Sequence, residues 1–205
     1  MDVDQKNYTT MSSLSGRRRP RVDALRNAER ILDATAATIA AEAGASLEQI
    51  ARAAGVSRAT LYAHFGDREG LLDALTERSV AEMTAAIVAA RPDQAGADEA
   101  IDRVLRAAWS TIGRYRGLVI VNRRLDPQEL RARTAPATGL VRALIERGQA
   151  SREFDPELSP DWLLLVVLDL IHSASRQVTA GALTAEQAER ALLRSAHAAL
   201  RSHRL

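Results

Sequence analysis

The chain of 205 residues contains no cysteine. Disulfide bonds, thiolate metal sites and a cysteine nucleophile are therefore excluded, as is usual for a reducing compartment. The longest apolar run, Trp162 to Leu168, is far shorter than the ~20 residues that span a bilayer. The polar N-terminus has no apolar signal core. We expect a cytoplasmic protein without a membrane segment.

Aromatic residues are also scarce, at 3% of the chain, which limits stacking on a flat ligand without excluding it. Signatures of catalysis are missing as well. There is no glycine-rich phosphate loop and no nucleophile elbow. The four histidines (His64, His172, His197 and His203) do not form a metal-ligand spacing such as H-E-x-x-H. We therefore expect neither an enzyme nor a cofactor nor a metal site.

Positive charge is concentrated near the N-terminus. The net charge is only +2, but residues 17–30 hold six arginines against Asp23 and Glu29. Such an excess suits contact with phosphates. Residues 1–20 show no periodicity and are predicted to be a disordered basic arm. That arm either reaches into a DNA minor groove or is a flexible tail that adds only nonspecific attraction.

Apolar residues recur at helical spacing along most of the chain, and no strand pattern is present. A helix is predicted for Asp23 to Ala43, and a long one from about Asp67 to Ala90, which ends before Pro92. Pro136 is expected to kink or restart the helix around it. The chain is predicted to be all-α, with about nine helices.

Residues 46–75 have the layout of a helix-turn-helix followed by a third helix. Ser46 and Gln49 form a capping box for the first short helix. Gly55 ends that helix, because glycine takes a left-handed conformation at little steric cost. Ser57 is placed to cap the second helix, in which Leu61 shares an inward face with Phe65.

This stretch resembles the DNA-binding domain of TetR/AcrR-type transcriptional regulators. The similar positions, about thirty in all, include Ile50-Ala51, Ala54-Gly55-Val56-Ser57, Thr60-Leu61-Tyr62, His64-Phe65, Arg68-Glu69 and Leu71-Leu72. Arg68 stands where the family more often has lysine, which keeps the charge. The complete run in this order is far more specific than its Ala-Gly-Val-Ser turn alone.

The resemblance implies contact with double-stranded DNA by one set of residues: Ser46, Ser57, Arg58, Ala59, Thr60, Tyr62, His64 and Arg68. Ser57, Thr60, Tyr62, His64 and Arg68 are expected to touch phosphates. Arg58, Ala59 and Thr60 are best placed for base edges, because the N-terminal part of a recognition helix enters the major groove.

The last two predicted helices favour a homodimer. Apolar residues cover more than half the circumference of the helix from Pro160 to about Ala180, and the final helix is rich in small residues. The family pairs these two helices into a four-helix bundle, and the alternative is an ordinary core. The predicted interface residues are Leu164, Leu168, Ile171, Val178, Ala191, Leu192, Ser195 and Ala199.

The other side of the helix from Pro160 carries Asp169, His172, Ser173 and Arg176 in one stripe. These polar residues could anchor a ligand in an apolar cavity, and family members commonly bind small effectors among these helices. The alternative is that the stripe faces solvent or forms salt links within the dimer. The predicted effector site comprises Trp109, Ile112, Leu144, Trp162, Asp169 and His172.

The sequence therefore predicts three segments. A basic arm spans residues 1–20, a helix-turn-helix domain spans 21–66, and an effector-binding and dimerisation domain spans 67–205. The predicted function is a repressor released from a palindromic operator by a small lipophilic effector. The alternatives are an architectural or activating DNA-binding protein without an effector, and a helical scaffold that binds protein.

Overall fold

The computed structural model describes residues 18–122 and 125–201, and it is all-helical over these ranges. Residues 1–17 of the predicted disordered arm lie outside the described residues. The helices are α1 (Arg18–Ala41), α2 (Leu47–Ala54), α3 (Arg58–Phe65), α4 (Arg68–Ala89), α5 (Ala97–Arg114), α6 (Arg116–Asn122), α7 (Pro127–Ala150), α8 (Pro160–Thr179) and α9 (Ala185–Leu200). These nine helices confirm the predicted fold class.

One apolar core lies around the helix-turn-helix, and we call it the headpiece core. Ile31, Ile39, Ile50 and Leu61 are fully or almost fully buried in it. Helix α4 adds two fully buried leucines, and Tyr115 and Leu118, from the α5–α6 junction, complete the cluster. The core that supports the DNA-reading helices therefore extends beyond residue 66.

A larger apolar core, which we call the body core, joins α5, α7, α8 and α9 with the end of α4. Its fully buried large side chains include Ile101, Leu105, Ile145, Phe154, Leu163 and Leu192. Helix α4 contributes Leu75 to the headpiece core and Ile87 to the body core. This long helix thus connects the two cores.

The helix boundaries of α1 and α7 bear on two of the sequence-based expectations. Helix α1 begins at Arg18 rather than Asp23, and α7 continues through Pro136 without a restart. Gly117 lies within α6. A Cβ atom on Gly117 would come within 2.3 Å of the Ile39 carbonyl oxygen. Glycine at this position therefore allows α6 to pack directly on the backbone of α1.

Among the residues that the structure describes, no helix is long and apolar enough to cross a membrane.

Candidate DNA-binding interface

The first helix of the helix-turn-helix, α2, is fixed at its N-terminus by a reciprocal cap. The Gln49 backbone N–H donates to the Ser46 Oγ at 3.2 Å, and the Ser46 backbone N–H donates to the Gln49 Oε1 at 2.6 Å. Both donors would otherwise lack a partner in the first turn. The predicted capping box is therefore present, and Ser46 serves as the helix cap.

The turn between α2 and α3 is held by glycine and by an arginine from α1. Gly55 has φ 64°, the left-handed conformation that favours glycine. The Arg30 Nη2 donates to the Ala54 carbonyl oxygen at 2.7 Å, which satisfies one of the free carbonyls at the end of α2. The local sequence pattern did not reveal this role of Arg30, because its target lies 24 residues away.

Helix α3, the predicted recognition helix, begins with a second cap. The Thr60 backbone N–H donates to the Ser57 Oγ at 3.0 Å, and the two hydroxyl oxygens lie 2.8 Å apart. Leu61 is fully buried and anchors α3 on the headpiece core. Ser57 and Thr60 therefore lie together at the start of the helix, with Ser57 exposed.

The outward face of α3 presents a cation beside an aromatic ring. Arg58, Ala59 and Tyr62 are exposed, whereas His64 is half-buried with its ring centroid 5.9 Å from that of Phe65. The Arg58 Nη2 donates to the Tyr62 hydroxyl at 3.3 Å, and its guanidinium carbon lies 5.7 Å from the Tyr62 ring centroid. This contact raises the pKa of Arg58 above its ordinary value, so the guanidinium remains a cation.

Arg68 takes part in the scaffold of the headpiece. Its Nη2 donates to the Ala43 carbonyl oxygen at 3.3 Å, and its Nη1 donates to the Ala45 carbonyl oxygen. These bonds tie the start of α4 to the loop between α1 and α2. The side chain is half-buried, so a phosphate contact would be shared with this structural role.

An open concavity of about 540 Å³ lies between the α1–α2 loop and α3. The residues around it are Ala43, Gly44, Ser46, Leu47, Glu48, Arg58, Tyr62 and Arg68. Four of the predicted DNA-binding residues thus line one surface. Two arginines outnumber the single carboxylate of Glu48 there, which suits the negative DNA backbone.

The predicted dimer residues are divided between the inside and the outside of the chain. Ile171 and Leu192 are buried within the body core. The half-buried members are Leu164, Leu168, Val178 and Ala199, and the exposed ones are Ala191 and Ser195.

The six predicted effector-site residues likewise do not share one environment. Trp109 and Leu144 are buried in the body core, and Ile112 packs against it half-buried. Trp162 is 56% exposed and Asp169 is exposed, whereas His172 is half-buried. In the single chain, Trp162 and Asp169 therefore lie outside the apolar interior that holds Trp109 and Leu144.

Residues 18–122 and 125–201 contain no candidate metal-binding site. No group of three or more His, Asp or Glu side chains there is arranged to hold an ion.

Comparisons with known proteins agree with this geometry. The family model described as bacterial regulatory proteins, tetR family, matches residues 31–75. That range spans the C-terminal part of α1, both helices of the helix-turn-helix and the start of α4. No curated protein sequence matches the chain.

Solved structures extend the similarity to nearly the whole fold. The TetR-like regulator LfrR from Mycobacterium smegmatis, in complex with proflavine, is 25% identical with a TM-score of 0.71, over 87% of this chain and 98% of that one. The ketosteroid regulator KstR2 of Mycobacterium tuberculosis is 20% identical with a TM-score of 0.68, over 87% and 96%. The fatty acid degradation regulator FadR from Bacillus halodurans is 19% identical with a TM-score of 0.69, over 84% and 93%.

Within the described residues, the helix-turn-helix, its caps and the nine helices together have the architecture of a DNA-binding transcriptional regulator. Residues 31–75 match the tetR family of bacterial regulatory proteins, and nearly the whole chain has the fold of the TetR-like regulator LfrR. The resemblance found in the sequence is thereby confirmed.

Proposed function

We propose that the protein is a homodimeric repressor that binds a palindromic operator and leaves it when a small lipophilic effector binds. The observation that carries the DNA-binding part is the outward face of α3. Arg58 and Ala59 are exposed at the N-terminal end of that helix, where a recognition helix meets base edges.

The contacts divide into two classes under this proposal. Arg58, Ala59 and Thr60 read base edges, whereas Ser57, Tyr62 and His64 bind phosphates and set the register on the duplex. Arg68 and Ser46 act partly through the scaffold, since their polar atoms already hold the α1–α2 loop and the start of α2.

A second copy is supported by an apolar surface on α8. Trp162 and Leu165 are 56% and 50% exposed, and they lie three residues apart on one side of that helix. The cost of leaving such side chains in water favours their burial against a partner. We propose a two-fold interface that combines this surface with the exposed small residues Ala191 and Ser195 of α9.

The stripe first considered for an effector lies on this same outer side, because Asp169 and Arg176 are exposed there. We therefore favour the alternative in which its charged members lie at the dimer interface or in solvent. For the effector, the apolar residues Trp109, Ile112 and Leu144 stay candidates, with His172 at the edge. A small lipophilic effector is supported by the complex of LfrR with proflavine and by the description of KstR2 as a ketosteroid regulator.

The segments predicted from the sequence stay proposals in the same way. A DNA-binding unit over residues 21–66 and an effector and dimer unit over residues 67–205 fit the separate headpiece and body cores. Tyr115 and Leu118 cross that division, since they pack in the headpiece core.

Selection of bound sequences from random duplex DNA tests the DNA-binding proposal. We expect an enriched inverted repeat and a steep loss of affinity with salt. A sequence-independent pool with a flat salt response would contradict it. Analytical ultracentrifugation should give a dimer at micromolar concentration, and a monomer would exclude the two-fold operator.

A thermal-shift screen with lipophilic compounds tests the effector proposal. A compound that binds the folded chain raises its melting temperature, and we expect the same compound to release operator DNA. Stabilising compounds that leave the operator complex intact would instead indicate a regulator without effector control.

A further inference from the structure

Arg78, in the middle of α4, joins that helix to α1 and to the α5–α6 junction through one guanidinium group. Its Nη1 lies 3.0 Å from the Glu29 Oε2, and its Nη2 lies 2.8 Å from the Asp33 Oδ1, both on α1. Its Nε donates to the Tyr115 hydroxyl at 3.0 Å, and it also lies 3.7 Å from the Glu82 Oε1. We call these five residues the Arg78 junction.

The junction is asymmetric in its exposure. The Arg78 side chain is only 13% exposed, whereas those of Glu29 and Asp33 are 66% and 73% exposed. The guanidinium carbon lies 5.7 Å from the centroid of the Tyr115 ring, within the range of a cation–π contact. The arginine is therefore held in one orientation by the ring, while the carboxylates of α1 dock onto it from outside.

Charge and protonation favour this arrangement. Burial raises the pKa of the Tyr115 phenol, with a further contribution from Glu82, so the hydroxyl is neutral and accepts the Arg78 hydrogen bond. Glu82 also binds a second cation, with its Oε2 2.7 Å from the Arg114 Nη1. The two terminal nitrogens of Arg78 therefore form ion pairs with the carboxylates of Glu29 and Asp33 on α1.

Helix α1 has a second close attachment, to α6 at Gly117. The Ile39 carbonyl faces the Cα of Gly117 closely enough to exclude a Cβ atom. Asp33 and Ile39 are six residues apart, which is ~9 Å along a helix. Two attachments separated along one axis add to the headpiece core in fixing the angle of that helix.

The orientation of α1 determines that of the DNA-reading helices. Arg30 binds the end of α2, and α1 shares the headpiece core with α2 and α3. A rotation of α1 about its Gly117 contact would therefore carry the recognition helix with it. In a dimer, that rotation would change the separation of the two recognition helices.

We propose that Arg78 is a positioning residue for operator binding, which holds α1 at the angle to α4 that sets the spacing between the two recognition helices. This inference rests on the proposed dimeric function. The ion pairs of α1 are exposed on the carboxylate side, so they contribute little to stability.

The substitution Arg78→Met tests the inference, because methionine keeps an apolar stem against Tyr115 and removes the charge. We expect affinity for the selected operator to fall about 10-fold, a typical coupling between sites, while affinity for random DNA is unchanged. Operators with one base pair added or removed between half-sites should lose less affinity in the variant than in the wild type.

The matched control is Arg106→Met. Arg106 also joins two helices by an ion pair, with its Nη1 2.7 Å from the Glu189 Oε1, but it lies between α5 and α9, away from the headpiece core. We expect it to keep wild-type affinity and spacing preference. The double variant Glu29→Gln with Asp33→Asn provides a second test from the exposed side, and it should reproduce the Arg78→Met result.

A direct structural measurement separates this inference from the proposed function. The chain has no cysteine, so Ala53→Cys, at an exposed position of α2, can carry a single spin label. Electron–electron distance measurements on the dimer should give a narrow distribution for the wild type and Arg106→Met, and a broader or shifted one for Arg78→Met.

Each outcome is decisive for one of the two claims. An unchanged label distance, or equal losses on operator and random DNA, would overturn the positioning role of Arg78. Failure of the wild type to select an inverted repeat would overturn the proposed operator binding. A changed label distance in that case would still show that Arg78 orients the headpiece.

Discussion

The headpiece and the body of this protein differ in helix length and in the extent of their apolar cores. Around α2 and α3 the helices are short, and side-chain hydrogen bonds fix their ends, as at Ser46, Ser57 and Arg30. In the body the helices are long and pack through large apolar side chains such as Leu105 and Leu192. Side-chain caps occur there too, as at Thr184, but they fix a smaller part of each long helix than of the short helices in the headpiece.

This contrast has a functional consequence. Hydrogen bonds depend on direction, so a headpiece capped in this way presents α3 in one orientation to a groove. Apolar packing is less directional and tolerates changes of shape when volume is conserved. Substitutions that conserve volume should therefore be tolerated better in the body core than changes to the caps of α2 and α3.

The largest expected effect tests the dependence of the body on packing. Phe154 is fully buried, so Phe154→Ala should lower the free energy of unfolding by about 3–5 kcal/mol. Urea unfolding followed by circular dichroism measures the change. The control Val88→Ala, at a position that is 55% exposed, should cost far less, and equal costs would contradict the dominance of core packing.

The next effect probes the contact between α6 and α1, where the two regions meet. Gly117→Ala would place a Cβ atom 2.3 Å from a backbone oxygen, and such overpacking should cost about 1–3 kcal/mol. Gly139→Ala is the matched control, because nothing lies within 4 Å of a Cβ at this α7 position. It should stabilise the helix by about 0.5–1 kcal/mol. A neutral result for Gly117→Ala would mean that α6 can move away from α1.

A smaller effect compares two capping boxes with the same geometry. Ser46 caps α2 in the headpiece and Thr184 caps α9 in the body, each with a glutamine three residues later. Replacing either by alanine should cost about 1 kcal/mol in thermal unfolding. Only Ser46→Ala should also weaken operator binding. Equal operator affinity of the two variants would contradict the idea that the headpiece caps support DNA binding.

The smallest effect concerns a polar contact in the body. The Arg201 hydrogen bond lowers the pKa of Asp98 below its ordinary value of 3.8, with a further contribution from His197. The stability that this shift provides is fully present above the ordinary pKa of the unfolded chain. It is lost as the pH falls through the lowered pKa of Asp98 in the folded chain. Asp98→Asn should therefore cost less than about 1 kcal/mol near neutral pH. The cost should disappear in acid, and a cost that persists there would exclude this cause.

Local patterns predicted much of the fold. Helical periodicity placed the long helix α4 to within a residue or two, and the caps at Ser46 and Ser57 are as expected. Each of these features depends on residues three or four positions apart. A single sequence therefore contains the information that they require.

Contacts between distant segments could not be read in the same way. The role of Gly117 depends on the backbone of α1, which lies more than seventy residues earlier in the chain. Arg30, Arg68 and Arg78 each find partners more than twenty residues away. Their sequence neighbourhood gives no sign of those partners.

Helix α8 shows the same limit for a functional site. Apolar residues occur around most of its circumference, so periodicity did not decide which side faces the body. The structure turns Leu163, Val167 and Ile171 inward, and Trp162 and Leu165 outward. The polar stripe once considered for an effector shares that outer side.

The most direct test of the account compares two neighbouring residues of α3 on the selected operator and on random DNA. Arg58→Ala should reduce operator affinity far more than random-DNA affinity, since a base contact is worth about 1–3 kcal/mol of discrimination. Tyr62→Ala should weaken both by similar factors, as expected for a phosphate contact. Fluorescence anisotropy at fixed salt gives the affinity of each variant relative to the wild type on each of the two DNAs. If Arg58→Ala weakens both DNAs equally, α3 does not read sequence through Arg58, and the central claim is contradicted.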